Sequence, residues 1–228
     1  MGWGVAFFDA DRDGQLDLFF ANGHLFPQVD RDPELGESYH QKNQLLINQG
    51  GRFRDISEIA GGGLGARKSS RGLAIGDLDN DGNLDLVITN MDDVPTVLQN
   101  RTKTLYHWAG FQLKKEGKNR FCIGAKIMID AGGKKQMREV RSGGSYLSQN
   151  DLRAYFGLGS YDGKLNVEIR MPGGIAGNGK ACPPIGSLLL YCGKKRRSGR
   201  ARRRSHFEYN RGADIHVCRA EIRLGVGL

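Results

Sequence analysis

Two stretches of nine residues hold the clearest chemistry in this chain. Asp77 to Asp85 reads Asp-Leu-Asp-Asn-Asp-Gly-Asn-Leu-Asp, and Asp9 to Asp17 reads Asp-Ala-Asp-Arg-Asp-Gly-Gln-Leu-Asp. Both place carboxylates at loop positions 1, 3, 5 and 9 and a glycine at position 6. Oxygen donors at that spacing, wound around a glycine-enabled turn, converge on one point as a hard divalent cation requires, and calcium is the expected occupant. The predicted ligands are Asp9, Asp11, Asp13 and Asp17 with the backbone carbonyl of Gln15, and Asp77, Asp79, Asp81 and Asp85 with that of Asn83. Asp, Asn and Gly also build ordinary solvated turns. Four carboxylates in nine residues repel one another without a cation, however, and the pattern occurs twice, which favours the metal.

The flanks say what holds these loops. Position 12 is Phe20 in one and Ile88 in the other, not the bidentate glutamate of a helix-flanked calcium loop. Gly4-Val-Ala-Phe-Phe8 and Leu73-Ala-Ile-Gly76 precede the loops, and Leu16-Asp-Leu-Phe-Phe20 and Leu84-Asp-Leu-Val-Ile88 contain their last residues and continue beyond them; all four are strand-like in composition. Each loop is predicted to join two strands.

The charge is unevenly spread. The chain has 228 residues and a net charge of +9, which alone would point to a polyanion partner. Residues 1–100 carry 8 Lys/Arg against 16 Asp/Glu, residues 101–174 carry 14 against 6, and residues 175–228 carry 12 against 3. The first part is therefore an acidic, cation-seeking module, and the last stretch alone matches the whole excess. Cys122, Cys182, Cys192 and Cys218 are spaced like no zinc motif. No apolar run approaches the ~20 residues of a membrane span. No signal peptide precedes the first strand, so the chain reads either as cytoplasmic or as a piece of something longer.

A repeat underlies the first hundred residues. Leu45-Leu-Ile-Asn48 follows the first loop as Val97-Leu-Gln-Asn100 follows the second. The first unit is longer, with an insertion between Gly23 and Gln41 that reads as an irregular surface loop. Gly61 to Gly65 reads as a connector into the second unit, and Gly61 to Ser70 fails as a phosphate loop because Arg67 stands where glycine is needed. From Asn119 the pattern is again strand-like, with period-two alternation in Lys126 to Asp130, Gln136 to Val140 and Asn166 to Arg170.

The loops with their strands, Asn43-Gln-Leu-Leu-Ile-Asn48-Gln-Gly, and Phe53-x-Asp55-x-Ser57-Glu58-x-Ala60-Gly61 together resemble FG-GAP or VCBS repeats, which form calcium-bearing β-propeller blades. Ile123-Gly-Ala125, Gln136-x-Arg138-Glu-Val-Arg-Ser-Gly-Gly-Ser-Tyr146-Leu-Ser-Gln149 and Phe156-Gly-Leu-Gly159 resemble the ASPIC/UnbV domain that follows such repeats in the cartilage acidic protein family. The resemblance implies an all-β chain: a partial β-propeller of two blades over 1–106, then a small β domain over 107–174. It also implies a secreted or periplasmic setting and a missing N-terminal part carrying further blades and an export signal. Past Met171-Pro-Gly-Gly174 the family pattern is lost, and residues 175–228 read as a basic, disordered or frameshifted tail.

The function expected is calcium binding without catalysis, with Ca2+ holding the blades and loops such as 23–42 offered to a protein or glycan partner. Two alternatives stay open. One is an enzyme scaffold acting on polysaccharide, since glycosidase carboxylates can lie far apart in sequence. The other is nucleic-acid binding through Lys194 to Arg204, although no aromatic residues are interleaved there. No nucleophile elbow and no histidine spacing marks a catalytic centre, and Ser145, Tyr146 and Ser148 read as turn and packing residues.

Overall fold

The computed structural model describes residues 1–172, 187–193 and 217–223. The first unit opens with β1 (Gly2–Phe8), which turns through the first acidic loop into β2 (Asp17–Asn22). The short β3 (Gln41–Lys42), β4 (Gln44–Gln49) and β5 (Arg52–Asp55) follow, and the main sheet runs β1-β2-β4-β5. The second unit repeats the plan. After β6 (Arg67–Lys68), which pairs with β3, β7 (Ser70–Gly76) turns through the second acidic loop into β8 (Asp85–Asn90) and β9 (Asp93–Leu98), giving the order β7-β8-β9.

The alternation legible in the sequence sets which side is buried. Ala6 and Phe8 of β1 face inward while Val5 and Phe7 are exposed. They share one core with Phe19, Leu73, Ile75, Leu86 and Ile88, so the two sheets pack as neighbours through their first strands. Register places Phe8 opposite Asp17 and Gly76 opposite Asp85, which leaves each acidic loop as the whole connection between two paired strands. The insertion carries no strand before Gln41; it is shaped by short 3-10 turns at Pro27–Arg31 and Pro33–Leu35.

The second domain is built from β10 (His107–Lys114), β11 (Lys126–Ala131), β12 (Lys134–Glu139), β13 (Ala154–Gly159), β14 (Lys164–Arg170), β15 (Ser187–Gly193) and β16 (Val217–Arg223). They form two antiparallel sheets, β13-β10-β15 and β12-β11-β14-β16, whose facing residues Phe111, Phe156, Ile127, Leu165 and Ile169 belong to one core. Where composition predicts a basic, disordered tail, β15 pairs with β10 and β16 pairs with β14. The apolar Leu188-Leu-Leu-Tyr191 and the alternating Val217 to Arg223 suit strands, but the intervening Arg-rich run dominates any compositional reading. That run, residues 194–204, lies outside the described residues. The chain is all-β: among the described residues there is no α-helix and no sheet closes on itself.

One segment of the second domain covers the free edges of both repeats. β1 and β7 are edge strands, whose outward N–H groups need partners. Val5 N donates to Ser145 Oγ at 2.8 Å and Ile75 N donates to Asn150 Oδ1 at 3.0 Å. The amide of Asp151 returns a bond to the carbonyl of Ile75 at 2.8 Å. Tyr146 meets Trp3 edge-on, with ring centroids 5.2 Å apart. Ser145 thus serves as an edge partner and Tyr146 as a packing residue in this contact.

Candidate metal centres

Each acidic loop is folded by its own hydrogen bonds, and the bonds repeat position for position. Gly14 N donates to Asp9 Oδ2 at 2.9 Å, and Gly82 N to Asp77 Oδ2 at 3.0 Å. Asp13 N donates to Asp11 Oδ1 and Asp81 N to Asp79 Oδ1, both at 3.2 Å. Ala10 N donates to Asp17 Oδ2 at 2.8 Å, and Leu78 N to Asp85 Oδ2 at 2.9 Å. The turn depends on left-handed backbone at two places in each loop. Position 4 is Arg12 or Asn80, with φ of 68° and 61°, and position 6 is Gly14 or Gly82, with φ of 84° and 86°.

These bonds gather three of the four carboxylates. Asp9, Asp11 and Asp17 each offer an oxygen within 4.8 Å of the others, and so do Asp77, Asp79 and Asp85. The position-5 carboxylates stand apart from that grouping. Asp13 accepts from Gln15 N at 2.6 Å and Gln15 Nε2 at 2.8 Å, and Asp81 accepts from Asn83 N at 2.8 Å and Asn83 Nδ2 at 2.7 Å. The side-chain amide at position 7 thus competes for the carboxylate two residues before it. Gln15 and Asn83 are tied into the loops, but by their nitrogens; the side-chain oxygen of Gln15 accepts from Gly50 N at 3.0 Å.

Burial makes the two groups costly as bare anions. Asp9, Asp17, Asp77 and Asp85 are all buried. Burial pushes the Asp9 carboxyl up to about 7, opposed by the Gly14 amide and reinforced by Asp13, Asp11 and Asp17. Burial likewise raises Asp17 and Asp77 to about 6, each against two backbone amides, and raises Asp11. Oδ1 of Asp9 is buried without a hydrogen-bond partner, as is Oδ1 of Asn83 in the second loop. Hard carboxylate oxygens, several of them buried, with one oxygen left without a partner in each loop, fit a divalent cation of calcium's kind.

Several supporting residues are not among the carboxylates that the spacing marks. The amide of Asn48 donates to Asp17 Oδ1 and that of Asn100 to Asp85 Oδ1, each at 2.8 Å. The shared Asn at the end of the repeat marked both positions, though not their role. Arg12 is 2 % exposed, its Nε and Nη1 lack hydrogen-bond partners, and Asp81, Asp9 and Asp77 surround it with negative charge. From position 4 of the first loop, its side chain thus places a built-in cation among carboxylates of both loops. Basic side chains of the second domain reach the loops too, through oxygens of uncharged groups. Lys134 Nζ donates to the carbonyl of Asp13 at 2.6 Å, and Arg153 Nη2 to that of Asp77 at 2.7 Å.

The chain is all-β, with repeated strand–acidic loop–strand units followed by a second β domain, and a stretch of each part matches a known family. Residues 30–88 match the FG-GAP-like repeat family, and residues 115–182 match the family described as ASPIC and UnbV. The chain thus carries an FG-GAP-like repeat, fitting a partial propeller, followed by an ASPIC/UnbV domain, as its motifs predict; the second match runs past Gly174 to residue 182. A curated relative, cartilage acidic protein 1 of Xenopus tropicalis, is 27 % identical over 174 residues, 73 % of this chain. The chain spans a quarter of that protein's length. Such domains point to an extracellular-type adhesion or binding protein and are non-enzymatic in kind. Among the described residues no helix is long and apolar enough to cross a membrane.

Proposed function

We propose that this chain is a calcium-binding, non-enzymatic module of an extracellular protein, in which Ca2+ at the two acidic loops rigidifies the repeats so that surface loops can bind a protein or glycan partner. Asp9, Asp11 and Asp17 would hold one ion and Asp77, Asp79 and Asp85 the other, with Asp13, Asp81 and the carbonyls of Gln15 and Asn83 completing the shells once an ion draws them in. The cation supplies positive charge that lets the buried carboxylates ionise, and its binding free energy becomes order in the loops. The observation that carries the reading is the twofold recurrence of one group of three carboxylates, its first and last members buried, on one hydrogen-bond scaffold.

The presenting surface is the insertion at 23–42. Leu25, Phe26 and Leu35 are 44 %, 59 % and 60 % exposed on it, three apolar side chains on a segment otherwise rich in charge. An extracellular setting, where calcium is abundant, suits weak sites of this type.

Thermal melts of the purified chain in calcium and in chelator test the function directly. Calcium is expected to raise Tm, Asp9→Ala and Asp77→Ala each to remove part of the rise, and the double variant to abolish it. A rise that survives in the double variant would overturn the assignment. A glycan-hydrolysis panel is expected to show no turnover; turnover lost on changing one carboxylate outside the loops would replace the binding role with a catalytic one.

A further inference from the structure

The second domain meets the two acidic loops at equivalent positions, and a single strand with its preceding residue reaches both. At the loop around Asp9, the amide of Gly159 donates to the carbonyl of Arg12, position 4, at 2.9 Å. The backbone of β13 passes so close that a Cβ on Gly157 would stand 2.0 Å from Asp9 Oδ2 and 2.6 Å from Arg12 Cα. At the loop around Asp77, Arg153, just before β13, donates from Nη1 to the side-chain oxygen of Asn80, also position 4, at 2.6 Å. Its Nη2 holds the carbonyl of Asp77, as described above. The position-6 glycines are covered as well. A Cβ on Gly14 would lie 2.8 Å from the carbonyl oxygen of Gly157, and one on Gly82 would lie 2.1 Å from the Trp108 indole.

Two loops that each gain order from a cation, and that each contact the same strand or the residue before it in their ordered shape, are linked through that strand. Whatever orders one loop fixes β13, and a fixed β13 lowers the cost of ordering the other. We propose that β13 couples the two cation sites, with Arg153 the positioning residue for the loop around Asp77 and the Gly157–Gly159 backbone the positioning element for the loop around Asp9. Calcium then binds cooperatively and clamps the ASPIC/UnbV domain onto the repeats. This rests on the loops binding cations, the reading given above.

Calcium titration calorimetry of the full chain, with hydrogen exchange across residues 154–159, tests the coupling. The wild-type chain is expected to bind two ions cooperatively and to slow exchange at residues 154–159, including Gly159 N, when calcium is present. Arg153→Met should weaken the second-loop site by roughly 5- to 150-fold, the range of ordinary allosteric coupling, and abolish cooperativity, while Arg153→Lys recovers part of both. If Arg153→Met fails to fold, Asn80→Gly, which keeps the left-handed backbone and removes the oxygen that Arg153 Nη1 meets, should weaken the second-loop site in its place. Two ions bound with equal affinity by wild type and variants, and exchange at 154–159 indifferent to calcium, would overturn the coupling and leave the calcium sites standing. No ion bound by the wild-type chain would instead remove the reading beneath it.

Discussion

The amide of Asn100 donates to Oδ1 of Asp85 at 2.8 Å, joining the end of one repeat to the last carboxylate of its acidic loop. The same side chain reaches further: Nδ2 donates to the carbonyl of Ala10 at 2.8 Å, in the loop of the other repeat. Asn100 therefore fastens its own loop and its neighbour's.

Asn100→Ala keeps the amide bond to Asp85 and loses the bond to Ala10, along with the Oδ1 contacts to the Thr102 amide and hydroxyl. The expected cost is about 1–3 kcal/mol, the range for leaving buried groups unsatisfied, seen as a lower midpoint in urea at unchanged slope. An unchanged midpoint would mean that the two repeats are not tied through this side chain.

Gly157 has an ordinary backbone, so its need for glycine is steric. Gly157→Ala places a methyl group onto Asp9 Oδ2. Overpacking of this kind costs roughly 1–3 kcal/mol, and the ion-free chain should show it as a fall in Tm of several degrees. Calcium affinity at the first loop should fall with it. A neutral result would show that β13 does not lie against Asp9.

The acid–base behaviour of the ion-free chain runs opposite to that of paired carboxylates. Asp9, held at about 7 in the folded chain against an ordinary 3.8, keeps a proton that the unfolded chain releases. Asp17 and Asp77, at about 6, do the same. Their contribution to ion-free stability is therefore greatest below about pH 4 and is lost as pH rises to about 7. Calcium binds the ionised carboxylates, so the stabilisation it gives should grow over the same window. Melts at pH 5 and pH 7.5, with and without calcium, check this; a calcium effect that shrinks as pH rises would count against it.

The acidic loops were legible because their main features fall within nine residues, where spacing alone fixes geometry. Asp13 and Asp81 were harder. Their place in the shell depends on whether Gln15 and Asn83, two residues on, hold them, a competition that no spacing rule decides. Asn48 and Asn100 were visible as repeat markers, but they sit 31 and 15 residues from the aspartates they support, so only folding shows the bond. Gly157 and Arg153 stood in or beside motifs that resemblance singled out. Their purpose lies in how closely two domains approach, and that is a tertiary fact. The strands β15 and β16 were hidden by the charge between them, although each stretch has strand character when read alone.

Isothermal titration of calcium into the purified, ion-free chain tests the central claim most directly. Two sites at about 10⁻⁴–10⁻³ M, the range of extracellular modules, with a matching rise in Tm, are the expected result. No heat and no change in Tm at millimolar calcium would contradict it.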